Sequence, residues 1–96
     1  MTNAREYADR IIELERKRDY RGAHEVLKEA LTIYPTHPFL LGTEVYLLLR
    51  LNKTKEARTK AEGRVEMLKN DIFFLKTYLS VLRQEKAKED TGHIFT

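Results

Sequence analysis

Two alanines constrain this chain more than any other feature: Ala23 and Ala57 stand thirty-four residues apart, each near the start of a stretch with helical periodicity. A small residue at matching places in successive helices marks where two backbones approach closely. A period of that length is the span of one helix-turn-helix unit in a stacked array. The apolar residues keep the same step. Tyr7 pairs with Leu41, Ile11 with Val45 and Leu14 with Leu48, and the series continues from Leu41 to Leu75, Val45 to Leu79 and Leu48 to Leu82. Three helices therefore share one core pattern, and stacking is what would make their interior continuous.

Local signals place the elements. Over residues 4–17, Tyr7, Ala8, Ile11, Ile12 and Leu14 fall on one helical face. A second helix reads over 21–33 through Ala23, Val26, Leu27, Ala30, Leu31 and Ile33. Pro35 and Pro38 end it, because each pushes the residue before it, Tyr34 or His37, toward extended geometry. Pro38 suits the first position of a third helix over 38–51, which is apolar on most sides and hence central. Thr54 is the expected N-cap of a fourth helix over 55–69, with a thinner face of Ala57, Ala61, Val65 and Leu68. After a turn at Asn70 and Asp71, a fifth helix spans 72–86. The expectation is an all-α domain over 1–86 with about five helices in antiparallel hairpins, followed by a flexible tail over 87–96.

Composition narrows the class. Charged residues make up 34% and apolar residues 42% of the 96, with only four glycines and two prolines, a balance that favours helices with one wet face. There is no cysteine, so neither a disulfide framework nor a thiolate metal site can form, and a reducing cytoplasmic setting is expected. No apolar run approaches the roughly 18 residues of a membrane span, and the polar start gives no sign of a signal peptide. The net charge of +3 arises from 18 basic and 15 acidic residues that are interspersed. No strong field of one sign follows from that mixture.

Residues 18–35 resemble a tetratricopeptide repeat, with Tyr20, Ala23, Ala30, Leu31 and Pro35 on the places where that family carries an aromatic, an alanine, a second alanine followed by leucine, and a closing proline. The likeness covers roughly residues 4–83 as two and a half units. It departs in the second unit, where Arg64 takes the place of Ala30 after Gly63, and Lys69 the place of Pro35. The fourth helix is accordingly expected to be shifted or bent. The resemblance implies a short right-handed stack of hairpins that binds another protein or peptide and is not an enzyme. It also implies a concave surface lined by first helices: Arg5, Ala8, Ile12 and Glu15, then Phe39, Thr43, Tyr46 and Leu49, then Phe73, Lys76, Thr77, Ser80 and Arg83.

Such a groove is apolar and basic. The family's clamp for acidic chaperone tails needs lysine, arginine and asparagine at places that here carry Ala8, Ile12, Thr43, Phe73 and Thr77, so that ligand is not expected. An amphipathic helix or an extended apolar segment fits better, anchored by aromatic side chains. An aromatic stripe on a helix is also what a packed interior looks like.

Catalytic parts are missing from the pattern. His24, His37 and His93 lack a spacing that would let two share a metal, and Ser80 is the single serine with no histidine near it in sequence. No cofactor is expected. Acids at i, i+4, such as Glu25 with Glu29 and Glu62 with Glu66, stand beside bases and read as solvated faces. The alternative is a basic module for nucleic acid, built on Arg16, Lys17, Arg18 and Arg21 and on Lys53, Lys55, Arg58, Lys60, Arg64 and Lys69. Finally, the fifth helix is apolar around most of its circumference. That end is expected to pack on a second copy, a partner, the Ile94–Phe95 tail or further sequence, and a homodimer through Ile72, Phe74, Tyr78 and Leu82 is the first of these to test.

Overall fold

A computed structural model describes residues 3–94, with side chains over residues 3–87. The order is α1 (Ala4–Arg16), α2 (Tyr20–Ile33), α3 (Pro38–Arg50), α4 (Thr54–Glu62), α5 (Val65–Leu68) and α6 (Ile72–Ile94). No strand occurs among the described residues, and the expected all-α class is found.

Local chemistry sets most helix ends. Oδ1 of Asn3 accepts from the Glu6 amide at 2.9 Å, that of Asp19 from the Gly22 amide at 2.9 Å, and that of Asp71 from the Phe74 amide at 3.1 Å. Each satisfies one otherwise orphaned donor of a first turn. Pro38 opens α3 at its first turn, as expected. Thr54 is the first residue of α4 and is buried, while Lys53 takes the cap position without a side-chain bond.

The exits from α1 and α3 are the same structure. Arg18 donates its amide to the Glu15 carbonyl and Asp19 to the Leu14 carbonyl; Asn52 donates to Leu49 and Lys53 to Leu48. Both are Schellman closures, which need one left-handed residue. Arg18 has φ 61° and Asn52 φ 64°, and these are the only non-glycine residues with positive φ among the described residues. They are thirty-four positions apart, so the period of the alanines recurs in the backbone.

The long helices pack α1 on α2, α2 on α3, α3 on α4, and α6 on both α3 and α4. Two buried clusters result. One holds Tyr7, Ile11, Ala23, Leu27, Ala30, Leu40 and Leu47; the other holds Leu41, Val45, Leu48, Ala57, Ala61, Leu68, Phe74 and Val81. Helix α3 is therefore the wall between them, with Leu40 and Leu47 on one side and Leu41, Val45 and Leu48 on the other. Each fully buried leucine contributes about 2 kcal/mol. Ala23 and Ala57 are both completely buried, one in each cluster.

Two elements differ from expectation. The fourth helix does not run to Lys69; it stops at Glu62, turns through Gly63 and Arg64, and resumes as the single turn α5. The cause is Arg64, whose long side chain stands where the first hairpin has Ala30. It turns inward, donating from Nη1 to the Leu41 carbonyl at 2.9 Å and from Nη2 to Glu44 at 2.7 Å. The last helix continues to Ile94, beyond the end expected at Lys86. Ala87, Lys88 and Glu89 favour that continuation, whereas Asp90, Thr91 and Gly92 do not.

Candidate functional site

Helices α3 and α6 meet near Gly42, where an added Cβ would stand 3.8 Å from Phe73 Cδ1 and 3.9 Å from Phe74 Cβ. Of these adjacent phenylalanines, Phe74 is completely buried and Phe73 remains 45% exposed. The Phe73 ring leans on Tyr46 of α3, with centroids 5.9 Å apart and planes at 51°. Burial pushes the Tyr46 hydroxyl up, partly offset by the neighbouring Arg50 charge.

Beside this pair opens a cleft of about 690 Å³ between the two helices. Tyr46, Leu49 and Phe73 form its apolar side, Arg50 and Asn52 its α3 end, and Lys76, Thr77, Ser80 and Gln84 its α6 side. The hydroxyls of Thr77 and Ser80 donate back to their own helix, to the Phe73 carbonyl at 2.9 Å and the Lys76 carbonyl at 3.1 Å. Arg50 is held in place by Tyr20: its Nη2 donates to the Tyr20 hydroxyl at 3.0 Å, and its guanidinium stands 5.0 Å from the ring centroid. A cation over an aromatic face is attracted by the ring quadrupole. The hydrogen bond to Tyr20, and after it the neighbouring Tyr46 hydroxyl, hold the Arg50 pKa above its usual value. The cleft thus offers an aromatic patch with fixed positive charge at its edge.

Of the groove residues expected from sequence, the structure gathers Tyr46, Leu49, Phe73, Lys76, Thr77 and Ser80 around this cleft. Others are placed elsewhere. Thr43 is only 2% exposed, so it offers no surface for contact. Phe39 packs against the first buried cluster. Ile12 is half-buried on α1, Glu15 is half-buried with its carboxyl pushed up by desolvation, and Arg5 and Arg83 are exposed; none of them lines the cleft. Asn52, in the turn after α3, was not anticipated, and neither were Arg50 and Gln84. The latter two lie one helical turn beyond Tyr46 and Ser80, at i+4, and are themselves one period apart, which is the signal that could have found them.

The expected dimer face needs correction. Phe74 is completely buried, and Tyr78 stacks on it with centroids 6.1 Å apart and packs against the second cluster. Both point inward because α6 rests on α3 and α4. Among the residues of α6 whose side chains are described, the exposed large apolar ones are Ile72, Phe73, Leu75, Leu79 and Leu82.

The basic residues of the fourth-helix region are largely matched by acids. Arg58 bonds Glu62 at 2.7 Å and Glu85 at 2.8 Å, Lys60 stands 3.8 Å and Arg64 2.7 Å from Glu44, and Lys69 lies 3.7 Å from Glu66. Among the described residues no three His, Asp or Glu side chains gather as a metal site, and no helix is long and apolar enough to cross a membrane. Comparison with known proteins gives no match: no family model, no curated protein and no solved structure aligns significantly with this chain.

Proposed function

We propose that the chain is a protein-interaction module of the tetratricopeptide type, an adaptor, small chaperone or regulatory subunit whose α3/α6 cleft seats a helical or extended segment of another protein. The observation that carries this reading is the half-exposed Tyr46–Phe73 pair at a cleft edged by Arg50 and Lys76. Aromatic anchors in a partly desolvated pocket supply most of the affinity in peptide recognition, and nearby cations set orientation on an acidic or carbonyl-rich ligand. The thirty-four-residue recurrence of Ala23 with Ala57 and of Arg18 with Asn52 supports the stacked-hairpin architecture that this reading assumes.

Peptides selected from a displayed random library on the intact chain provide the test. They should bind the wild type and lose about tenfold in affinity on Phe73→Ser. They should weaken on Lys76→Glu and be unaffected by Leu79→Ser. Equal binding to the Phe73 variant, or no selectable peptide, removes the cleft from consideration. The alternative, a basic module for RNA or DNA, has weaker support because Arg58, Lys60, Arg64 and Lys69 are engaged by acids of the same chain.

A further inference from the structure

The period gives every first helix two faces. Leu40 and Leu47 of α3 face the preceding hairpin, and one period later Phe74 and Val81 of α6 do the same, all four completely buried. The opposite faces are also equivalent. Tyr7 and Ile11 of α1 are buried under α2, and Leu41, Val45 and Leu48 of α3 under α4. One period on, the residues are Leu75, Leu79 and Leu82, and these are 37%, 53% and 36% exposed, with Ile72 beside them at 69%. α6 thus repeats the first helix of a hairpin, and no described residue covers its outer face. α6 does not fold back on itself to fill the gap, because it continues unbroken to Ile94.

We infer that this outer face of α6 is the seat of an amphipathic helix of a partner protein with acidic residues beside its apolar stripe, docked as α2 docks on α1. Charge selects that occupant. Where α1 and α3 carry Ala8 and Gly42, α6 carries Lys76; where they carry Glu15 and Leu49, it carries Arg83. Both cations are exposed, and neither has an ion pair among the described residues. The nearest acid of α6, Glu85, is committed to Arg58 on the other side. A second copy is a poor occupant, since antiparallel pairing about a two-fold axis sets the Lys76–Arg83 edge against itself, and like charges across a helix pair repel. The site stands on the repeat register and adjoins the α3/α6 cleft, with which it shares Lys76, whereas Arg83 and Leu79 belong to the outer face alone.

The test uses the full chain and a labelled synthetic peptide copying residues 19–34, which contain α2, with Arg21→Glu and Lys28→Glu, read by fluorescence anisotropy. Saturable binding is expected, weakened at least about tenfold by Leu79→Asp. Leu79 is exposed, so circular dichroism should show that variant folded. Arg83→Glu should weaken this peptide and strengthen one with lysines at the same two places, while Phe73→Ser, which reports on the cleft, should leave binding unchanged. No binding at roughly 100 μM peptide, equal binding to the Leu79 variant, or a dimer in sedimentation that Leu79→Asp dissolves, would overturn the proposal.

Discussion

Helices α2 and α4 do the same work in their hairpins, each laying an alanine face on the first helix, yet α2 runs unbroken for 14 residues and α4 stops after nine. The change traces to one period-related pair. Ala30 fits between helices without a side chain to place, whereas Arg64 must find partners for a guanidinium in a site where its side chain is 17% exposed. Glu44 is that partner, and its counterpart in the first hairpin is Arg10. A repeat thus tolerates a long cation at a close contact when the facing helix supplies an acid and the backbone yields one turn.

The strongest way to break this comparison is Ala30→Arg, which puts the same cation into the first hairpin with no acid facing it. We expect a loss of about 4 kcal/mol in urea unfolding, from overpacking and an unpaired buried charge. Next, Arg64→Ala leaves Glu44 with the more distant Lys60 alone and takes away the second donor of the Leu41 carbonyl, and it should cost about 2 kcal/mol. The double variant Glu44→Leu/Arg64→Leu should recover most of that loss, because a buried pair often gives way to apolar residues at little cost. If the double is as unstable as the single, the ion pair is not what holds the second hairpin. A smaller and opposite effect is expected at the shared turns. Arg18→Gly should stabilise by about 1 kcal/mol, since a residue with a Cβ is strained in the left-handed region. Asn52→Gly should gain less, asparagine being tolerated there.

The smallest effect is a pH dependence found in one hairpin only. His24 has its pKa lowered from 6.5, first by desolvation and against the pull of Glu44, while its counterpart is Arg58. The folded state therefore disfavours the charged imidazole. Stability should be complete above the unfolded value of 6.5 and decline as pH falls through it toward the folded value. His24→Gln should flatten that slope in melting temperatures measured from neutral to mildly acidic pH, and an unchanged slope would assign it elsewhere.

The sequence made the period and the helix order legible because alanine contacts, prolines and Asx caps are local or recurrent signals. Gly63 and Arg64 flagged the weakness in the fourth helix, but not its relief through Glu44, which is twenty residues away. The cleft was legible in part. Tyr46, Leu49 and Phe73 were identified from register, whereas the burial of Thr43 depends on how closely α6 crosses α3 at Gly42. The orientation of α6 was misread for a similar reason. A helix apolar on most sides gives no preferred face of its own, and only aligning Phe74 with Leu40 and Val81 with Leu47 shows which side goes in.

Sharing α3 between two interiors has a consequence for how the molecule comes apart. No cut leaves one half with an intact wall, since detaching α3 from either neighbour exposes leucines that both clusters use. Amide hydrogens in the middle of α3 should consequently exchange last and only through whole-molecule opening, while α1, which packs on α2, exchanges through smaller excursions.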